Sequence, residues 1–219
     1  MRRWLLLLTG LAVIAPAWCQ DIVEVLERSQ SVRLASMSYA EDQSPQAVVV
    51  HRSFDQLAQR FGSHKEMEVR VVTGSVIAEC LLGRTIVANE LLAEAPEAVR
   101  LFLLAHEIGH VVLGHWQQVE QLYVKYIPGE VIEHRTDAVA ALLGREASQL
   151  SYAHELAADE FALHTLRSLG YDVEDVIGAF SRFGMQMDTA THPGTSKRIA
   201  HLRSIERDAV TADAEHPGG

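Results

Sequence analysis

The sequence predicts a single α+β domain, in which a small β-sheet precedes a mainly helical body. The chain has 219 residues, a length typical of one domain. It is 48% hydrophobic and 22% charged, which favours a globular protein with a buried core. Strand-like alternation is found before Asn89, whereas helical periodicity dominates after Pro96. Strands followed by helices, rather than alternating with them, predict the α+β class.

Residues 1–19 have the pattern of a secretory signal peptide. Arg2 and Arg3 precede an apolar stretch over residues 4–15, which is too short to span a membrane comfortably. Residues 15–17 (Ala-Pro-Ala) offer a cleavage signal, and cleavage after Cys19 is the alternative. We therefore expect an exported protein, periplasmic or secreted, with an uncleaved anchor or a lipid on Cys19 as open alternatives.

The net charge limits which partners the protein is expected to bind, and the cysteine content limits whether disulfide bonds can stabilise its fold. The formal net charge is −10, which disfavours nucleic acid and anionic membrane surfaces as partners. We expect no stable transmembrane segment after signal cleavage. The cysteines are Cys19 and Cys80, so cleavage after Cys19 would leave one thiol and no internal disulfide. A chain of this length can bury enough surface to fold without such bonds.

The first half of the chain predicts two helices, four strands and the turns between them. In order, we expect a helix over 21–40, a polar linker over 40–46, a short strand over 47–50, and a helix over 53–62 capped by Ser53. Met67, Val69 and Val71 alternate with polar residues and predict a strand. Residues 75–89 predict two strands in a hairpin around Leu82-Gly83-Arg84.

The second half predicts helices separated by glycine and proline. Pro96 and Glu97 suit the first turn of a helix, which we expect to run to about Gln118. The further expected helices span about 130–143, about 145–169, from a cap at Asp172 to about 184, and about 196–207. We thus expect a signal peptide at 1–19, one domain at 20–207, and a disordered tail at 208–219.

The segment His106-Glu107-Ile108-Gly109-His110 has the pattern H-E-x-x-H. On a helix, residues four apart share one face, so His106 and His110 can bind one metal ion, and imidazole suits Zn²⁺. Glu107 is offset around the helix and can act as a general base on water at the metal. A structural pair of buried histidines is the alternative. A membrane helix is excluded because these polar side chains would lie mid-span.

A catalytic zinc site needs a third protein ligand. The metzincin pattern places a histidine six residues after the second ligand, but His115 lies five after His110. We therefore interpret His115 as a surface or capping residue. Glu155 is the better candidate, since apolar residues surround it on a predicted helix. Asp159, four residues later, could accept the second ring N–H of a ligating histidine; a solvated acidic face is the alternative.

Three ordered motifs give the chain a resemblance to a known family. "AHEIGHVVLGH" over 105–115, "ELAAD" over 155–159 and "THPGTSKRI" over 191–199 resemble the gluzincin zinc metallopeptidases of the CAAX prenyl protease and HtpX-like family. The third motif is typical of the soluble, exported branch. The likeness covers roughly residues 69–207.

This resemblance implies a zincin-like fold and endopeptidase activity on protein or peptide substrates. It implies one Zn²⁺ per chain, bound by His106, His110 and Glu155, with Glu107 as the catalytic base and Asp159 supporting a ligand. In such enzymes an edge strand aligns an extended substrate by backbone pairing, and here it would lie between Ser75 and Asn89.

His192 and Arg198 lie in the third motif and are candidate catalytic residues. His192 could steady an oxyanion or occupy the fourth metal position, or it could be an inert loop residue. Arg198 could orient a carboxylate or the substrate backbone. The predicted function is a zinc endopeptidase acting in the periplasm or outside the cell. A non-catalytic metal-binding module or chaperone is the alternative, and an enzyme that acts on another amide, such as a cell-wall peptide, has less support.

Overall fold

The computed structural model describes residues 20–61, 67–183 and 186–215. Side chains are described in these ranges except at 181–183 and 209–215. The predicted signal peptide and the predicted helix stop at Gly62 lie outside the described residues. So do the last four residues of the predicted tail.

The described residues form seven α-helices and one three-stranded sheet, so the predicted α+β class is confirmed. The helices are α1 (Ile22–Ala35), α2 (Pro45–Ala58), α3 (Glu97–Val112), α4 (His115–Tyr126), α5 (Glu133–Arg167), α6 (Val173–Phe183) and α7 (Thr195–Glu215). The strands are β1 (Glu68–Val72), β2 (Ala78–Leu81) and β3 (Thr85–Asn89), and 3₁₀ turns cover Gln59–Phe61 and Glu90–Glu94.

The sheet has the order β1-β3-β2, with β1 parallel and β2 antiparallel to β3. The predicted hairpin is confirmed. Its turn has positive φ angles at Leu82 (55°) and Gly83 (62°), the backbone of a tight hairpin turn. A Cβ on Gly83 would lie 2.7 Å from Cβ of Trp116, so this glycine also lets the turn pack against α4. Within the described sheet, β2 is therefore an edge strand that lies beside the helical body.

The strand predicted over residues 47–50 is wrong, because this segment belongs to α2. Ser44 caps the helix by accepting a hydrogen bond from the Ala47 amide, and Pro45 occupies the first turn. The buried residues of α2 recur at helical spacing: Ala47, Val50, Phe54, Leu57 and Ala58. Ser53 is not a cap; it is buried mid-helix and accepts a hydrogen bond from Arg100 Nε at 2.8 Å.

The helix predicted to run to Gln118 is interrupted. Gly114 has a φ of +67°, so α3 ends at Val112 and the chain turns before α4 begins. His115 becomes the first residue of α4 and folds back toward the end of α3.

Two predicted helices are instead the single helix α5, which has 35 residues and continues through Gly144. Gly144 costs helix stability of about 1 kcal/mol relative to alanine. Its neighbour Leu143 is buried with Ile22 and Ile127, and this packing holds the helix together.

The last helix, α7, runs to Glu215 and not to about Arg207. The predicted end of this helix at about Arg207 is therefore wrong. The stretch over residues 208–215 is rich in alanine and contains no glycine or proline, so nothing in it ends a helix.

Helix α3 lies at the centre of the molecule. Its apolar residues Leu101, Phe102, Leu104, Ala105 and Ile108 are fully buried in the main core. It packs against α5, α2, α6 and strands β2 and β3. This burial fixes the rotation of α3 about its axis and therefore the direction of its polar side chains. Among the described helices, none combines the length and the apolar character needed to cross a membrane.

Candidate metal centre

Three side chains bring one potential ligand atom each to a common point: His106, His110 and Glu155. Nε2 of His106 lies 3.2 Å from Nε2 of His110. The Glu155 carboxylate oxygens lie 3.6 Å from the first of these nitrogens and 3.7 Å from the second. Ligand atoms about 2.0–2.1 Å from a tetrahedral zinc ion lie about 3.3–3.4 Å apart. The two imidazoles and one carboxylate thus fit zinc in donor type and in spacing.

Helix packing positions these three residues. His106 and His110 lie one turn apart on α3, whereas Glu155 projects from α5. Gly109 faces α5, where an added Cβ would lie 3.1 Å from the Phe161 ring and 3.3 Å from Cα of Ala158. The missing side chain therefore permits the close approach of the helices that brings Glu155 to the histidines.

His106 is held by a buried carboxylate. Its Nδ1 lies 2.9 Å from Oδ1 of Asp159, a residue with no exposed surface. Arg198 donates to both oxygens of Asp159, from Nε at 2.7 Å and from Nη2 at 2.5 Å. Burial alone would raise the pKa of Asp159, but the hydrogen bonds from Arg198 and His106 hold it below its ordinary value. Asp159 is thus an anion that accepts from His106 and orients its ring.

The ionisation of the three residues differs sharply in the metal-free chain. Burial opposes charge on His106, but hydrogen bonds to Asp159 and Glu155 raise its pKa to about 10. Burial and the charge of His106 lower the pKa of His110 to about 3. Burial would raise the pKa of Glu155, yet its hydrogen bonds to His106 and His192 set it well below the ordinary value. These pKa shifts favour a charged His106, a neutral His110 and an ionised Glu155.

Glu107 lies beside His106 and lines the same cleft. It is buried, and burial raises its pKa to about 7, against the opposing effect of the charge on His106. A carboxyl group with a pKa near neutrality can both accept and return a proton, as a general base needs to do.

The prediction that His115 is a surface or capping residue is wrong. Its side chain is buried, and its Nδ1 lies 2.8 Å from Nδ1 of His110. It stacks on His154, with ring centroids 3.9 Å apart and planes 9° apart. Nε2 of His154 in turn lies 3.1 Å from Oε1 of Gln118. Burial lowers the pKa of His115 to about 4, and the neighbouring His154 adds to this effect.

Sequence reasoning missed this arrangement because it weighed His115 only as a direct ligand. Gly114 was the usable signal, because a glycine break after the second histidine turns the next residue back toward it. No comparable signal marks His154 or Gln118. Their contacts depend on how α4 packs against α5.

His192 and Arg198 both reach the metal centre, but in different ways. Nδ1 of His192 lies 3.2 Å from a Glu155 oxygen, and the side chain is 58% exposed. It is not part of the group of three converging atoms found among the described residues. Arg198 is directed mainly at Asp159 and lies over the Phe180 ring, 4.9 Å from its centroid. The structure thus brings Arg198 to a carboxylate, one of its two predicted partners.

A cleft of about 570 Å³ opens over the three converging atoms. Edge strand β2 forms one wall through residues 78–81, and Trp116, Phe180 and His192 line other parts. Arg33 of α1 reaches over this wall and pairs with Glu79 at 2.7 Å. The cleft therefore combines three potential metal ligands with a strand at the edge of the described sheet, an arrangement that suits an extended peptide.

Comparison with known proteins agrees with this geometry. The model of peptidase family M48 matches residues 44–206. The crystal structure of Ste24p from S. mikatae is similar in fold, with a TM-score of 0.51 and 16% sequence identity. The likeness covers 81% of this chain and 55% of that protein, so the chain spans about half the length of its structural relative. Among curated proteins, none matches the chain.

Proposed function

The chain belongs to peptidase family M48, and on that premise we propose that it is a zinc-dependent endopeptidase acting in the periplasm or outside the cell. The family predicted from the three motifs is confirmed. Membership supports metallopeptidase activity and protein or peptide substrates. Zinc as the ion, endopeptidase specificity and export belong to the proposal.

One observation carries the proposal: His106, His110 and Glu155 present three atoms at zinc-like spacing beside the carboxyl group of Glu107. Structural zinc sites have four protein ligands, whereas catalytic sites have three and an open position. The group of three among the described residues favours the catalytic type.

The residues of the site divide the chemistry between them. His106, His110 and Glu155 would hold a zinc ion, which would supply Lewis-acid chemistry by polarising a carbonyl group and lowering the pKa of water. Glu107 accepts the proton of the attacking water and passes it to the leaving amine. Asp159, held by Arg198, keeps His106 in the tautomer that presents Nε2 to the metal.

The edge strand β2 is proposed to bind the substrate. It lies at the edge of the described sheet, and residues 78–81 line the cleft beside Glu107. An extended peptide that pairs with this strand would present its backbone to the metal centre. Backbone pairing is independent of side chains, so we expect β2 to align many sequences and the rest of the cleft to select among them.

His192 is proposed to act at the open position. Its distance of 3.2 Å from Glu155 fits a residue that steadies an oxyanion or one that blocks water until substrate arrives. The two roles predict opposite effects of the substitution His192→Ala on turnover. Loss of a steadying group lowers turnover, whereas loss of a blocking group raises it.

The test of the mechanism is Glu107→Gln. We expect this variant to bind zinc like the wild type, because Glu107 is not one of the three ligands. Its hydrolysis of casein should fall by about 10²–10⁴-fold, the usual contribution of a general base. Zinc content and cleavage of labelled casein are the measurements, and Glu160→Gln, an exposed carboxylate on α5, is the matched control. Full activity in Glu107→Gln would refute the mechanism.

The alternative function, a non-catalytic metal-binding module, predicts a different result. It is favoured if the wild-type chain binds zinc tightly but cleaves no unfolded protein. Export rests on residues 1–19 and is tested separately by N-terminal sequencing of the protein from an exported fraction. A mature N-terminus at residue 18 or 20 would support it, and retention of Met1 would not.

A further inference from the structure

The buried His115 has no part in the mechanism above, yet it contacts a proposed metal ligand. Its Nδ1 lies 2.8 Å from Nδ1 of His110. Both rings are aromatic and nearly perpendicular, with an interplanar angle of 75°. Since the contact joins two nitrogens and not two carbon edges, it is a hydrogen bond between the rings.

The direction of this hydrogen bond follows from the metal centre. His110 presents Nε2 to His106 and Glu155, so Nε2 must carry the lone pair that binds a metal. The proton of neutral His110 is then on Nδ1 and is donated to His115. His115 must therefore accept at Nδ1 and carry its own proton on Nε2.

The surroundings of His115 fix its ring in this position. The ring stacks on His154, and His154 is held by Gln118 at 3.1 Å. The left-handed turn at Gly114 returns the chain toward α3. The turn before α4 and the stack on α5 thus hold His115 in contact with His110. On the other side of the site, Asp159 and Arg198 hold His106.

We propose that His115 is a positioning residue that sets the tautomer and ring orientation of His110 for zinc binding. This inference rests on the proposed function, since it assumes that His110 binds zinc. Partners of this kind typically change metal affinity by 10–100-fold when they are removed. His115 is not one of the three residues whose atoms converge among the described residues, so it acts through His110.

Two variants separate the hydrogen bond from the packing. His115→Leu fills similar space but cannot accept a hydrogen bond, whereas His115→Asn can place its side-chain oxygen near the former Nδ1. We expect zinc affinity to fall about 10–100-fold in His115→Leu and to be largely restored in His115→Asn. Competition with a chromogenic chelator, using the full chain, measures affinity without reference to activity. His164→Asn, at an exposed position on α5, is the control for histidine replacement in general.

A second measurement needs no variant. Two-bond ¹H–¹⁵N spectra of the zinc-loaded wild type report which nitrogen of each histidine carries the proton. We expect a proton on Nδ1 of His110 and on Nε2 of His115. The reverse tautomer of His115, or unchanged zinc affinity in a folded His115→Leu, would overturn the inference.

The outcomes also separate this inference from the proposed function. If the wild type binds zinc but cleaves no protein, the proposed activity is refuted. The zinc affinity of the His115 variants then still decides whether His115 positions His110. A wild type that binds no zinc overturns both. Proteolysis with unchanged affinity in His115→Leu overturns only the positioning role.

Discussion

The raised pKa of His106 predicts that zinc binding displaces a proton from this ring. Its pKa is raised to about 10, so the ring is charged at neutral pH, whereas a metal ligand must be neutral. His110, with a pKa of about 3, and the ionised Glu155 already have free lone pairs. At about pH 8.5 Glu107 is largely ionised as well. We therefore predict the release of about one proton per zinc ion at that pH.

The sign of the pH dependence follows from this proton. Protons compete with zinc for His106, so affinity should rise about tenfold per pH unit and level off near a pH of about 10. Titration calorimetry in buffers with different ionisation enthalpies gives the number of protons released. A binding enthalpy that does not change with the buffer would contradict the prediction.

At the residue scale, the sequence predicted those parts of the site that depend on spacing along one helix. The H-E-x-x-H motif predicted that His106 and His110, four residues apart, share one helix face with Glu107 beside them. The structure brings Glu155 to the two histidines from another helix. The contact of His115 with His110 was missed although Gly114 signals a turn, because the position of the ring also depends on its stack with a residue of α5. Spacing in the sequence does not encode such a contact.

Gly109 sets the distance between the two helices that supply the metal ligands. In Gly109→Ala, the new Cβ would lie 3.1 Å from the Phe161 ring and 3.3 Å from the backbone of Ala158. The side chain can yield slightly, but the backbone contact requires α3 and α5 to separate. We predict destabilisation by about 1–3 kcal/mol and weaker zinc binding, because Glu155 moves with α5.

Gly144→Ala is the matched control for this substitution. Gly144 lies inside α5, and an added Cβ would have no neighbour within 4 Å. Alanine there should stabilise the chain by about 0.5–1 kcal/mol through helix propensity. Urea unfolding of both variants provides the comparison. Equal changes in the free energy of unfolding at the two positions would show that close packing at Gly109 does not determine the effect of the substitution.

At the element scale, predictions failed where local signals were read in isolation. Residues 47–50 include three successive β-branched valines and look like a strand, but Ser44 and Pro45 start a helix whose buried face continues to Ala58. Gly144 looks like a helix stop, but the buried Leu143 carries α5 across it. Tertiary packing decided both cases, whereas the β2–β3 hairpin was correctly predicted because its turn is a local feature.

At the scale of the whole molecule, the metal centre joins parts of the chain that already share one core. His106 and His110 come from α3 and Glu155 from α5, and these two helices pack directly against each other. Residues of both, such as Leu104 and Leu163, are buried in the same cluster. A ligand bound by both helices is therefore bound by the folded state and not by the unfolded chain. Zinc affinity and the stability of the fold should be linked.

This linkage predicts a zinc-dependent melting temperature. Zinc at about 100 times its dissociation constant should add about 2.7 kcal/mol of stability, or about 5–10 °C for a domain of this size. Thermal unfolding followed by circular dichroism, with zinc and with a chelator, measures the shift. Glu155→Gln should lose most of the shift because it removes the ligand from α5, whereas Glu160→Gln on the same helix should keep it. A full shift in Glu155→Gln would mean that zinc stabilises the chain without joining the two helices, and Glu155 would then not be the third ligand.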